Sequence, residues 1–427
     1  MFHLDNPEIR SLLLTGDFGI ERETRRVDSN GFLAQTPHPV SPKDEHILRD
    51  FCENQVEINT SPAKTAAEAV AELESYSNEV ERILAALPER EYLWPFSNPP
   101  HIRQESEIPI AQYYGEDAWK TKYREYLANH YGFYKMTFSG IHVNYSFGEE
   151  LLRRDFELSD ETDFMLYKNR VYLDLAVQVV AYGWILVAVT AASPLLDSSF
   201  MEEGKIGEDL FTGMASVRCS ELGYWNNFSP TLGYTDIESY TNSIQEYLDT
   251  EWITAPSELY FPIRLKPRGV NSLAGLRERG VNHIELRMYD LNPLVPSGID
   301  VRDVAFAELL LVWLTATPRA EFPTRYQVLA VQNFKTAAHY DLKTAKIVQP
   351  DGTSQGIAEA ALEILDGMSK FYHGFPDEVQ EVLAFERAKF IDPEARYAVQ
   401  VRQRYSDTFV QKGMERAKEI QEIALGE

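Results

Sequence analysis

Two short segments near the N-terminus hold the residues best suited to chemistry: Glu21-Arg22-Glu23 within GIERETRRV, and Asp50 to Glu57 within DFCENQVE. The rest of both segments has the look of strand and core. An ionised carboxylate turned toward an apolar layer is costly unless something positive neutralises it. Residues two apart in an extended strand share a face, so Glu21 and Glu23 point the same way and repel each other. A hard divalent cation relieves such repulsion, and Mg²⁺ accepts carboxylate oxygens together with substrate phosphates. Taken alone, the pair has a plainer alternative, a solvated edge strand with no chemical role.

Further strands strengthen the chemical reading. His142 and Asn144 in SGIHVNYSF alternate with Ile141, Val143 and Tyr145, and HIELRMYD sets Glu285 and Arg287 opposite Ile284, Leu286 and Met288. If these strands share a sheet with the first two, one concave face gathers Glu21, Glu23, Asp50, Glu57, Glu285, an imidazole and a guanidinium. Such a set calls for metal ions and a matching polyanion. Arg124, Arg218, Arg264, Lys266 and Arg287 could meet a triphosphate, because guanidinium forks bind phosphate bidentately. Singly, each residue has a bland reading. His142 suits a hydrogen-bonded core histidine, Arg124 a solvated helix face, and Arg218 an ordinary loop. Their coincidence points to a Mg–nucleotide site.

The elements that must position these residues follow from periodicity. A short helix precedes strand DFGIERETRRV, a turn at Asp28-Ser29-Asn30-Gly31, a strand GFLAQ and a strand over DFCENQVEINT. Apolar residues at helical spacing predict a helix over 63–87, and a Pro-rich bend follows at WPFSNPP. A helix at 117–131 leads into a strand over KMTFSGIHVNYSF, then a long helix at 161–190 and an irregular stretch to about 235. A helix at 236–249 precedes strands SELYFPIRLKP and VNHIELRMYDLNP, and from 301 the chain is nearly all helix, with a polar break at 349–355. Strands separated by helices and long loops predict an α+β fold rather than regular βαβ units. Neither G-x-G-x-x-G nor G-x-x-x-x-G-K-[ST] occurs, which weighs against Rossmann and P-loop sites.

Composition bounds the partners. The chain has 427 residues, 44% hydrophobic and 12% aromatic, enough for a large core. Its formal charge of −25 argues against nucleic acid and anionic membranes, leaving small molecules as partners. Two cysteines, Cys52 and Cys219, cannot form a disulfide framework, and no secretory pattern opens the chain, so the cytoplasm is the expected compartment. Leu175 to Ala192 is an 18-residue uncharged run at the lower edge of a membrane span. Gln178, Tyr182 and Thr190 interrupt it, so it is read, like VAFAELLLVWLTA, as a helix buried against a sheet. No feature of the chain fixes an oligomeric state.

The ordered motifs GIERETRRV, T-P-H-P, DFCENQVEINTSP, LWPFSNPP, AQYYG, KYREYLANHYG, SGIHVNYSF, ASPLLDSSF, SVRCSELGY, LYFPIRLKP and HIELRMYDLNP resemble a bacterial glutamate–cysteine ligase over about residues 15–300. The resemblance implies a glutamine synthetase-like fold. This is a curved, mostly antiparallel sheet forming an open funnel, with helices outside and a helical C-terminal segment. It implies a carboxylate–amine ligase domain at 1–320 and a packed helical extension at 321–427, with no room for the ATP-grasp domain of bifunctional relatives. ATP and Mg²⁺ are the implied cofactors. Glu21, Glu23, Asp50, Glu57, His142 and Glu285 fall on metal-ligand positions, and Arg218 on the arginine that holds the substrate glutamate. Phe51, Tyr123, Leu127, Tyr224 and Tyr260 fall on the amine substrate's pocket, and Arg287, Lys266 and Arg124 on or beside phosphate contacts. One departure bears on substrate choice. Met136 stands where the family usually has a glutamine reaching the cysteine pocket, and Val143 replaces a tyrosine after the histidine. The amine is thus cysteine or another small, apolar or nonprotein amino acid.

Overall fold

In the computed structural model, which describes residues 2–201 and 209–426, the strand carrying Glu21 and Glu23 lies at the centre of the main sheet. The strands of that sheet are β1 (Asp17–Val27), β2 (Ile47–Leu48), β3 (Gln55–Asn59), β4 (Tyr92–Leu93) and β5 (Ile141–Ser146), joined later in the chain by Ile263–Lys266 and His283–Tyr289. Two small pairings complete the strands. Leu195–Asp197 (β6) meets Asp209–Phe211 (β7), and after Ile263–Lys266 (β8) and His283–Tyr289 (β9), Lys346–Val348 (β10) meets Ser354–Gly356 (β11). The main sheet runs β2-β3-β1-β5-β9-β8, antiparallel throughout, with β4 on the far end of β1. The α+β expectation, a mostly antiparallel open sheet with helices outside it, is met.

Alternation sorts the faces. On β1, Phe18 and Ile20 are buried in the core with Ile141, Val143 and Tyr145 of β5 and Ile284, Leu286 and Met288 of β9. Against this face pack α2 (Ala66–Ala85), α5 (Phe164–Tyr182), α6 (Trp184–Thr190) and α9 (Val301–Ala316). Helix α2 starts at a capping box in which Thr65 and Glu68 satisfy each other's backbone N–H groups. The main core continues past residue 320, taking in Tyr326, Phe334, Ile364 and Leu383 without a break. The last helix, Phe409–Leu425, closes a second cluster in which Phe409 meets Trp94 and Phe96 edge-on. Gly413 lets it approach, since a Cβ there would fall 2.3 Å from Trp94 Cη2.

Several sequence expectations need correction. GFLAQ forms no strand: Val27 and Leu33 make an isolated bridge, and Ala34 N–H donates to Arg26 O. The strand predicted over 50–60 shortens to 55–59, because Gln55 Oε1 accepts from Phe51 N and Cys52 N and folds the preceding residues into a turn. Lys135 and Met136 lie in a short 3-10 turn before β5 rather than in the strand. Pro256–Glu258 is also a 3-10 turn, so the strand at SELYFPIRLKP covers only 263–266. The helix expected over 161–190 breaks at Gly183 into α5 and α6, bent by 55°. A Cβ at Gly183 would sit 2.5 Å from Val179 O, so the close approach requires glycine. Both halves are largely buried, and among the described residues no single helix is long and apolar enough to cross a membrane. The polar break at 349–355 covers the turn of the β10–β11 hairpin and runs into the start of β11.

Candidate functional site

Strand register brings the acids together. Glu21 lies opposite His142 across β1 and β5, Glu23 opposite Glu57 across β1 and β3, and Glu285 between Asn144 of β5 and Arg264 of β8. These side chains rise from the face opposite the core into a cavity of about 360 Å³. Its lining includes Glu21, Glu23, Asp50, Glu57, His142, Glu285, Arg287, Lys266, Arg124, Arg218, Phe51, Tyr123, Leu127, Met136, Tyr224 and Tyr260, so every site residue singled out from the sequence borders one space. Asp50 reaches it from the turn before β3, not from the strand itself.

The charged half divides in two. Glu21 Oε2 is 3.1 Å from His142 Nδ1, and Asn144 Nδ2 donates to Glu21 Oε1 at 2.9 Å. His142 Nδ1 is also 3.6 Å from Glu285 Oε1. Glu21, His142 and Glu285 each offer one ligating atom, all within 4.8 Å of one another. Glu285 is 1% exposed and meets Arg287 at 3.2 Å and Lys266 at 3.3 Å through Oε1, while its Oε2 has no hydrogen-bond partner. Burial opposes ionisation of Glu285, but Arg287, Lys266 and Arg264 together hold its carboxyl well below the usual carboxylate range. Glu21 is held low too, because the His142 hydrogen bond and the nearby cations outweigh burial and the repulsion of Glu285.

Glu23, Asp50 and Glu57 form the other part. Burial, then the charges of Asp50 and Glu21, push Glu57 well above the usual range. Burial also raises Glu23, with Asp50 adding to the effect. Asn59 Nδ2 donates to Glu57 Oε1 at 2.9 Å. Arg124 closes this side: its Nε donates to Asp50 O at 2.6 Å, NH2 lies 3.7 Å from Asp50 Oδ1, and the guanidinium stands over the Tyr113 ring. Arg218 donates to Tyr289 O at 3.2 Å and Arg287 O at 2.9 Å. A Cβ at Gly140 would lie 2.2 Å from Arg218 Cζ, so a larger residue there would displace the guanidinium from these carbonyls.

The other half of the cavity is apolar. Phe51, Leu127 and Met136 belong to one buried cluster flanked by Tyr123 and Tyr224, and Tyr224 lies 3.9 Å from Tyr260 between ring centroids. Helix α3 (Ala118–Tyr131) supplies Tyr123, Arg124 and Leu127, which lie at helical spacing on one face. A cavity with carboxylates and cations at one end and aromatic rings at the other can bind an anionic, multiply charged ligand beside an apolar group.

Comparison with known proteins identifies the architecture. The sequence model of the glutamate–cysteine ligase family matches residues 1–254 and 229–337. This chain belongs to that family. It is 36% identical over 417 residues to the glutathione biosynthesis bifunctional protein of Listeria monocytogenes, covering 93% of this chain and 53% of that one. The protein of the same name from Streptococcus thermophilus is 31% identical over 408 residues. The chain thus spans about half the length of the curated relatives it matches. The structure of glutamate–cysteine ligase from Francisella tularensis in complex with AMP superposes with a TM-score of 0.86 at 21% identity, covering 96% of this chain and 89% of that one. The bifunctional glutathione synthetase from Pasteurella multocida gives 0.84 at 26% identity, covering 99% of this chain and 55% of that one. The glutamine synthetase-like ligase fold is therefore common to these proteins and this chain.

In this family member, the cavity also takes in Gln55, Lys135, Phe138, Ser257 and Asn271, which the sequence reading passed over. Lys135 and Phe138 flank Met136 and were within reach of the same argument. Ser257 lies in the short 3-10 turn Pro256–Glu258 and Asn271 in a loop, where no periodicity in the sequence assigns a direction.

Proposed function

We propose that this chain joins the γ-carboxylate of L-glutamate to the amine of L-cysteine at the cost of ATP, through a γ-glutamyl phosphate. The observation that carries this reading is the convergence of Glu21, His142, Glu285, Lys266 and Arg287 on one charged floor, with an aromatic pocket beside it.

The chemistry follows from leaving groups. A carboxylate is a poor acyl donor because oxide would have to leave. Attack of a γ-carboxylate oxygen on the terminal phosphorus of ATP forms a new P–O bond and releases ADP. Attack of the amine nitrogen on the acyl carbon then forms the amide and expels phosphate, and the amine's proton passes to a carboxylate of the site. Arg287 and Lys266 are placed to hold the oxygens on which charge accumulates, with Arg124 at the cavity's other edge. Arg218, fixed by two backbone carbonyls, presents its guanidinium for the glutamate.

Glu21, His142 and Glu285 fit a hard divalent cation such as Mg²⁺, because Glu285 Oε2 is buried with no hydrogen-bond partner, only Arg264 NH1 at 3.9 Å, and two carboxylates face the same point. Glu23, Asp50 and Glu57 line the same cavity beside this trio, and a cation bound there would relieve the burial and mutual repulsion that raise Glu57 and Glu23. A bound divalent cation supplies charge neutralisation for the transferred phosphoryl group.

Met136 favours keeping a second amine in view. It lines the pocket with Phe51 and Leu127, and an apolar wall separates side chains differing by a methylene by only about 1–3 kcal/mol. The test is a panel of amino acids, each incubated with ATP, Mg²⁺ and L-glutamate, with dipeptide measured. Strongest turnover with cysteine is the expected result. Strongest turnover with a small apolar or nonprotein amino acid would replace cysteine in the proposal, and no dipeptide with any amine would refute it.

A further inference from the structure

Glu258 stands apart from the cavity, in the turn Pro256–Glu258, and is fully buried at 0% exposure. Its partners are neutral donors. Tyr131 Oη donates to Oε1 at 2.9 Å and Tyr126 Oη at 3.4 Å, while Thr254 N and Thr254 Oγ1 both donate to Oε2 at 2.7 Å. Burying a carboxylate is costly, and hydroxyl–carboxylate bonds are among the stronger and more directional ones available. Glu258 therefore fixes geometry more firmly than an apolar residue of the same size would.

What it fixes is the amine end of the cavity. Tyr126 and Tyr131 lie on α3, the helix that delivers Tyr123 and Leu127 to the pocket, and Tyr123 Oη lies 3.1 Å from Ser257 Oγ. Tyr131 Oη also accepts from Asn226 Nδ2 at 3.1 Å. Asn226 in turn donates to Glu258 O and accepts from Tyr260 N, each at 2.8 Å. The Tyr131 ring meets Tyr260 edge-on at 5.2 Å and Tyr224 at 6.1 Å. Tyr260 N fixes which end of the Asn226 amide is the oxygen, so Asn226 Nδ2 can only donate to Tyr131 Oη, and the Tyr131 proton is left to point at Glu258 Oε1.

We infer that Glu258 is a positioning residue which, through Tyr131 and Asn226, holds the Tyr224–Tyr260 wall in the shape that receives the amine substrate's side chain. The inference rests on the ligase reading above. It is tested by steady-state kinetics of Glu258→Gln and Tyr131→Phe with each of the three substrates varied. Glutamine puts a donor among donors and reverses part of the network, and phenylalanine removes the bridging hydroxyl while keeping the ring. The expected result for E258Q is a KM for the amine raised about tenfold, with kcat and the KM values for glutamate and ATP moving by less than about threefold. Y131F is expected to move in the same direction, and it carries the test should E258Q fail to fold. An unchanged amine KM in Y131F, or in a folded E258Q, overturns the inference, as does an equal loss for all three substrates. A wild-type enzyme that forms no dipeptide refutes the ligase reading itself, which separates the two failures.

Discussion

Glu21 and His142 face each other across neighbouring antiparallel strands, with Nδ1 of the imidazole 3.1 Å from Oε2 of the carboxylate and Glu285 as the third corner. The pair is built into the sheet's register, so it does not depend on a loop finding its place. Replacing Glu21 by Gln keeps the shape and removes the charge. The expected outcome is a fall in ligation rate on the order of 10²–10³, by analogy with other electrostatic stabilisers, with cooperative unfolding retained. ADP release and a melting curve check both parts.

Arg287 shares Glu285 with Lys266, so its loss leaves the buried carboxylate only partly neutralised. Arg287→Ala is expected to lower kcat and to destabilise the fold by about 1–3 kcal/mol. Denaturant titration beside ADP release separates the two effects. Arg287→Lys should restore stability more than turnover, because a single ammonium lacks the guanidinium fork.

Met136 lines the amine half, and its backbone is held by the buried Arg25, which donates to Met136 O and to Thr137 O. Met136→Gln is expected to favour cysteine over apolar amines of similar size by about tenfold in kcat/KM, within the 1–3 kcal/mol that such a wall can discriminate. Competition between two amines in one reaction gives the ratio directly.

Much of this was legible in the sequence, for particular physical reasons. The alternation around Glu21, His142 and Glu285 fixed which side chains share a face, and the shared face became the cavity floor. Helix α3 was legible as an element at 117–131, whereas the pocket role of Tyr123 and Leu127 on it came from the resemblance to the ligase family. Asp50 was placed correctly in the cavity but on the wrong element, because the turn that aims it is made by Gln55 Oε1, a tertiary choice without periodicity. The bend at Gly183 escaped notice because an isolated glycine in an apolar run reads as a tolerated helix residue. Glu258 gave no sign in sequence, since its partners Tyr126, Tyr131 and Thr254 are ordinary until the fold assembles them.

Stability should depend on pH through Glu308. Burial raises its carboxyl to about 7, although Tyr145 Oη and Gly16 N donate to it. In the unfolded chain it titrates near 4.5, so between the two values the folded state binds more protons and stability falls as pH rises. Glu308→Gln mimics the protonated form. It is expected to flatten that fall and to stabilise the protein by about 2 kcal/mol above pH 7. Urea unfolding of both proteins at pH 5 and pH 8 checks the sign.

In the proposed reaction the charged floor activates a carboxylate by phosphorylation before the amine attacks. The most direct measurement uses L-glutamate carrying ¹⁸O in its γ-carboxylate, with ATP, Mg²⁺ and cysteine, and mass analysis of the released phosphate. Phosphorylation of the γ-carboxylate leaves one labelled oxygen in phosphate for each dipeptide formed. Dipeptide formed alongside unlabelled phosphate would contradict this step.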